Sequence, residues 1–159
     1  MVKCNMPLKI IPFRSEFSKH FYEMNIEWLD KFFYVEPYDR KVLQYPEQYI
    51  ISPGGHIFFA IENKEVVGTV ALLKHGQKVF ELTKMAVPPK HQGKHIGQQL
   101  LVHCIDFGRK NDFKKIILYS HTKLENAIYI YRKLGFKEID LEVDNPYDRS
   151  DIKMQLILD

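Results

Sequence analysis

The sequence predicts a mixed α/β domain, and three observations predict it. Short runs with strand-like alternation interleave with segments whose apolar residues recur at helical spacing. Their order reads β, helices, βββ, α, β, α, ββ. That order fits a mostly antiparallel sheet carrying helices. No repeat, low-complexity stretch or break in composition divides the 159 residues, so one domain spanning 1–159 is expected.

The elements follow in order. "LKIIPF" (8–13) reads as a short strand ended by Pro12. From 15 to 33 the spacing is helical, with Phe17, Phe21, Met24, Ile26, Trp28 and Leu29 as its apolar positions. Residues 36–50 read as a broken helix or two short ones, punctuated by Pro37 and Pro46. After a turn at 52–55, "HIFFAIE" (56–62), the turn "NKE" and "VVGTVALLK" (66–74) form a hairpin pattern. "HGQ" turns the chain again into a third strand, 78–87, which Pro88 and Pro89 end because neither can donate to a ladder. A helix runs from about 96 to 110, with Ile96, Leu100, Leu101, Cys104, Ile105 and Phe107 on one side. Residues 114–120 read as a buried strand. Residues 124–134 read as a helix closed by Gly135. "FKEID" and "SDIKMQLIL" make a β-rich end.

Composition narrows the function. Apolar residues make up 45% and aromatics 13%, which excludes a disordered chain and supplies a core. The net charge of +3 is too mild to demand nucleic acid, and basic residues are interspersed with acids rather than clustered on a face. It does suit a polyanionic small molecule. Cys4 and Cys104 form no CxxC pair and read as free thiols of a reducing, cytoplasmic setting. No stretch approaches the ~20 apolar residues of a spanning helix, and the apolar run before Arg14 is too short for a signal peptide. No partnership with a membrane or a nucleic acid is expected, nor a metal.

One stretch asks for more than a fold. "HQGKHIGQQLLVHCI" (91–105) crowds glycines, a glutamine and basic residues where a helix is about to begin. The first turn of a helix has unpartnered N–H groups and a positive dipole end. Glycines let those groups approach an anion, and Lys90, Lys94 and the histidines add charge. The stretch is therefore a candidate phosphate site, or a plain tight turn. The GxGxxG fingerprint and the GxxxxGK[ST] loop are both absent, which disfavours ordinary NAD and ATP sites.

"ELTKMAVPPKHQGKHIGQQLL" followed by "NAIYIYRKLGF" resembles the GNAT superfamily, the Gcn5-related N-acetyltransferases. Its acetyl-CoA motif, Q/R-x-x-G-x-G/A, is usually preceded by a strand ending in a bulge. Gln92, Gly93, Lys94, His95, Ile96 and Gly97 occupy its six places. A second signature, A-I-x-x-Y-x-x-x-G-F, is met by Ala127, Ile128, Tyr131, Gly135 and Phe136. The resemblance covers about 56–140. It implies a central, mostly antiparallel twisted sheet with a splayed parallel strand pair, flanked by helices. It also implies pantetheine paired with the backbone of Met85, Ala86 and Val87, and the diphosphate on residues 92–97. Two departures stand out. His95 takes a place usually held by Gly, where it either crowds the diphosphate or hydrogen-bonds it. Leu124 stands seven residues before the tyrosine, where many members carry Asn; Asn126 is the candidate replacement.

The implied reaction is acetyl transfer from acetyl-CoA, as cosubstrate, to a primary amine on a small molecule or peptide. An amine with a pKa near ~10.4 is protonated at neutral pH, so a base is needed. By resemblance, Tyr131 is the candidate acid for the departing thiolate. Glu81 is the candidate base, and a period of two would put Glu81, Thr83, Met85 and Val87 on one face. Tyr119 and His121 are weaker proton relays. Backbone N–H groups near Val87 can polarise the thioester carbonyl. Segment 22–50 is expected to wall the acceptor site. There Glu36 and Asp39, with Tyr34, Tyr38 and Tyr45, either receive a cationic amine or form a solvated acidic helix start. Tyr147 and Arg149 are candidates for the same cleft. The alternative to an enzyme is a CoA-binding sensor that kept the pocket and lost turnover. A monomer and a homodimer are both open.

Overall fold

A computed structural model describes residues 7–158. Cys4 lies outside the described residues. Seven strands form one sheet: β1 (Lys9–Pro12), β2 (His56–Glu62), β3 (Glu65–Gly76), β4 (Val79–Ala86), β5 (Lys115–Ser120), β6 (Lys137–Ile139) and β7 (Ile152–Ile157). Their order in space is β1-β2-β3-β4-β5-β7-β6. Every pairing is antiparallel except β4 with β5. Four α-helices flank the sheet: α1 (Ser18–Phe32), α2 (Pro37–Gln44), α3 (Ile96–Lys110) and α4 (Glu125–Lys133). Among the described residues no helix is long and apolar enough to cross a membrane.

Both faces of the sheet are covered, so central strands are apolar in succession rather than in alternation. Phe58, Val70, Leu72, Phe80 and Leu82 pack with Leu100, Leu101, Cys104 and Ile105 of α3. Their neighbours Phe59 and Ala71 face the other way, onto Phe21, Met24, Leu29, Val42 and Leu43 of α1 and α2. Burial pushes the Cys104 thiol far up, so it stays an unreactive core group.

Two local features position the site, and both correct the sequence reading. The turn after β3 is Gln77–Lys78 rather than "HGQ": β3 runs on through His75 and Gly76, with Gly76 paired to Val79. The register shifts between Lys74 and Gly76, so His75 is a bulged residue beside β4. The second feature is in β4. Lys84 has φ +55°, and the pairing jumps from Ala71↔Thr83 to Thr69↔Ala86. Two residues, Lys84 and Met85, therefore face one on β3. The extra residue flips the alternation, so the expected single face of Glu81, Thr83, Met85 and Val87 does not exist. Met85 and Val87 pack on the α3 side, while Lys84 reaches Asp39 of α2 on the other.

Helix α4 ends as the glycine predicts. Gly135 has φ +104°, Gly135 N–H donates to Arg132 O, and Phe136 N–H donates to Tyr131 O at 3.0 Å. Phe136 is then buried beside the Tyr131 ring, with centroids 5.9 Å apart. The helix end thus fixes where Tyr131 stands.

Candidate active site

β4 and β5 pair at only three positions, Val79↔Lys115, Phe80↔Ile116 and Glu81↔Ile117. Beyond them the strands part, and a cleft of about 690 Å³ opens. Leu82 to Val87 form one wall and Leu118 to His121 the other. Asn25, Trp28, Leu29, Phe32 and Phe33 close it from α1 and its end, and Asn126, Ala127 and Tyr131 from α4. The bulge at Lys84 turns β4 away from its partner, and this leaves the backbone of Met85–Val87 unpaired on the β5 side.

The start of α3 lies at one end of this cleft. Gln92 and Gly97 line it, and Gln92 Nε2 donates to Val87 O at 3.2 Å. Gly93 has φ +82°, and a Cβ there would meet nothing within 4 Å. A Cβ on Gly97 would touch only Val87 Cγ2, at 3.9 Å. No side chain caps the helix. Open space, uncapped amides and a helix dipole together make a cradle for an anion, so these residues fit a coenzyme diphosphate. Lys94 turns aside, 3.4 Å from Glu62 Oε1 and 3.3 Å from His91 Nδ1. His95 has φ +61° and faces a separate open groove with Gln98, Gln99 and His103. The Ile96 side chain is core.

Tyr131 lines the cleft, and burial among apolar neighbours pushes its phenol up to about 12. It therefore keeps its proton throughout the neutral range. Glu81 does not line the cleft. It is 1% exposed, accepts from Tyr147 Oη at 2.7 Å and lies 2.6 Å from His75 Nε2. Burial and the Glu81 charge raise the Tyr147 phenol well above its ordinary range, so it stays a donor. Tyr119 and His121 line the cleft wall, tied to Glu142 and Asp151. Tyr119 is raised mainly by burial.

The expected acidic receptor for an amine is absent. Glu36 and Asp39 form neither an open receptor nor a solvated helix start; both are buried. Asp39 Oδ1 accepts from Lys84 Nζ at 2.8 Å and Arg149 NH2 at 3.0 Å. Its Oδ2 accepts from Arg149 NH1 at 2.6 Å and Glu36 N–H at 3.1 Å. Glu36 accepts from Arg149 NH1 at 2.6 Å and Asp148 N–H at 3.0 Å. Tyr34, Tyr38 and Tyr45 are exposed outside the cleft. Trp28 and Phe33, from the segment 22–50 expected to wall the site, line the cleft with Thr83, and so does Lys84, which the sequence reading missed. Lys84 carried a signal, since a lysine between Thr83 and Met85 interrupts an apolar strand. Burial pulls its ammonium down, against the opposing pull of Asp39. Among the described residues no group of three or more His, Cys, Asp or Glu could hold a metal ion.

Comparison with known proteins adds the family context. The model of the acetyltransferase (GNAT) family matches residues 22–136. The uncharacterized N-acetyltransferase YjgM of Escherichia coli K12 is 32% identical over 95 residues, 57% of each chain. The aminoalkylphosphonate N-acetyltransferase of Salmonella typhimurium is 29% identical over 94 residues, 56% of this chain and 61% of that protein. The matched stretch thus spans less than two thirds of these curated relatives. Among solved structures, a GNAT-family acetyltransferase from Staphylococcus aureus Mu50 superposes with TM-score 0.84 at 24% identity, covering 96% of this chain and 100% of that one. Spermidine N-acetyltransferase of Vibrio cholerae, in complex with CoA and spermine, gives 0.72 at 18% identity, covering 95% of both. These likenesses support the fold.

Proposed function

Since this chain belongs to the GNAT acetyltransferase family, we propose that it transfers an acetyl group from acetyl-CoA to a primary amine, directly, with both substrates bound in the cleft. The observation that carries this reading is the wedge between β4 and β5, with uncapped α3 amides at one end and Tyr131 in its wall. The diphosphate takes the amides of Gly93–Gly97, with Gln92 beside them, and the pantetheine arm takes the unpaired backbone of Met85, Ala86 and Val87. Asn126 contacts the arm from α4. The thioester supplies the activated acetyl group. An N–H near Val87 polarises its carbonyl, Tyr131 donates a proton to the departing sulfur, and Glu81 is the buried carboxylate that receives the amine's proton, out of contact with the amine.

Trp28 and Phe33 offer an aromatic wall to the acceptor. Relatives named for aminoalkylphosphonate and for spermidine make both compounds reasonable first probes. The test follows CoA thiol release from acetyl-CoA with 2-aminoethylphosphonate, spermidine and a peptide with a free N-terminus. Release above spontaneous hydrolysis with at least one amine is expected. Tight acetyl-CoA binding with no release to any amine would instead fit a regulatory module.

His95 supplies a separate prediction. Its side chain faces away from the cleft, so His95→Gly is expected to change the acetyl-CoA dissociation constant by less than about twofold, ~0.4 kcal/mol. Titration calorimetry measures this, and a tenfold change in either direction would make the imidazole part of the coenzyme site.

A further inference from the structure

The polar groups behind the cleft form a continuous line to solvent. Thr83 Oγ1, on the cleft wall, lies 3.3 Å from Tyr147 Oη. Tyr147 Oη donates to Glu81 Oε2 at 2.7 Å. Glu81 Oε1 lies 2.6 Å from His75 Nε2. Tyr147 and Glu81 are almost fully buried, whereas the His75 side chain is 34% exposed. We propose that Thr83, Tyr147, Glu81 and His75 form a proton exit from the acceptor amine to solvent, with His75 as the residue that hands the proton out.

The proposal rests on the transferase reading above and adds the route and its terminus. It accounts for a buried carboxylate that has no contact with the cleft. It also accounts for the bulge that carries His75 onto Glu81, which an ordinary tight hairpin does not need. The transfer balances at every atom. The ammonium gives a proton to Thr83 Oγ1 as the threonine's own proton passes to Tyr147 Oη. The tyrosine's proton passes to Glu81 Oε2. The amine is left neutral and Glu81 becomes a carboxylic acid. To reset, the carboxyl turns about its Cγ–Cδ bond, His75 as its Nδ1–H tautomer takes the proton at Nε2, and the imidazolium releases its Nδ1 proton to water; tautomer exchange through water and rotation of the Thr83 and Tyr147 hydroxyls then restore the starting state.

Other groups face this line without replacing any link. Tyr38 of α2 lies beside Tyr147, with ring centroids 6.1 Å apart. Lys84 Nζ lies 4.8 Å from the Tyr147 ring centroid, and Arg149 Cζ lies 4.6 Å from it. Both cations are bound to Asp39. The phenol of Tyr147, kept neutral by burial and by Glu81, is a suitable relay because it can give and take a proton at one oxygen.

The test uses the full chain, acetyl-CoA and whichever of spermidine, 2-aminoethylphosphonate and the free-N-terminus peptide the wild type acetylates fastest. His75→Ala is expected to lower kcat about tenfold, less than the roughly 10²–10⁴ of a group at the reacting atoms because water can partly replace it, with the amine KM unchanged. Added imidazole should restore the rate in a saturable way, because it fills the vacated surface site. His75→Gln keeps a hydrogen bond to Glu81 but cannot carry a proton, and should lose the same rate with an unchanged melting temperature. Tyr147→Phe breaks the line inside the protein, so its loss should not respond to imidazole. Wild-type kcat in both His75 variants, or a loss that imidazole leaves untouched, overturns the exit at His75. A wild type that acetylates none of the three amine probes overturns the transferase reading itself.

Discussion

Tyr131→Phe is expected to lower kcat by a factor on the order of 10³, within the usual range for a positioned acid. Acetyl-CoA affinity should stay within about twofold. The substitution removes one oxygen and keeps the ring that packs near Phe136. The helix end that sets the position of residue 131 is made by backbone bonds from Gly135 and Phe136, which the variant retains. What is lost is a proton at the cleft wall. A thiol of ordinary pKa near ~8.5 leaves as thiolate, and in a cleft walled by apolar side chains that charge has little water to meet it. Because burial pushes the Tyr131 phenol up to about 12, it remains a donor at neutral and mildly basic pH. Any basic limb in the rate below about pH 11 must therefore come from another group. Steady-state kinetics with calorimetric binding of acetyl-CoA separates the two effects. A loss smaller than tenfold would remove Tyr131 from the acid role.

Asp39→Ala is expected to destabilise the fold by about 3–5 kcal/mol, because it leaves buried cations without their partner. Both Asp39 oxygens are taken by Lys84, Arg149 and the Glu36 amide. Lys84 is then left in a buried site with no carboxylate, and the reciprocal Glu36–Asp39 cap of α2 is lost as well. Urea unfolding should show a lower midpoint at unchanged slope. The dependence on pH has a definite sign. Burial alone would raise Asp39, but Arg149 and Lys84 outweigh it and hold the carboxyl below its ordinary 3.8. Its stabilisation is therefore fully present above that value and is lost as pH falls through the depressed folded one. The gap between wild type and Asp39→Ala should narrow below about pH 4. Replacing Asp39 and Lys84 together by Leu and Met should cost less than Asp39→Ala, since no lysine is then stranded. If Asp39→Ala shifts stability by less than about 1 kcal/mol, the range of an exposed pair, the cluster is not the anchor described here.

Much of the molecule was legible in the chain because it depends on local rules. The start of α3 follows from glycines and helical spacing, and its bounds agree with the sequence reading at both ends. The end of α4 follows from Gly135, and the hairpin read at 56–74 from alternation and turn residues, its second strand running two residues further, to Gly76. The stretch 92–97 and Tyr131 stand out through a family resemblance carried by short motifs at fixed spacing. The face of Glu81 was not legible. A strict period of two joined it to Met85, and one extra residue at Lys84 separates them. Whether a polar residue inside a strand is absorbed as a bulge depends on a partner elsewhere, here Asp39, 45 residues earlier.

The sequence by itself determined the element order, the glycine-bearing, uncapped start of α3 and the placement of Tyr131, each set by contacts within about one helical turn or one strand-turn-helix unit. Only the tertiary structure decided that Glu36 and Asp39 serve Lys84 and Arg149 instead of an amine, and that Glu81 faces Tyr147 and His75 instead of the cleft. The physical reason is desolvation: a charge removed from water must find an opposite charge or a hydrogen-bond donor, and the fold chooses which one from residues far apart in the chain.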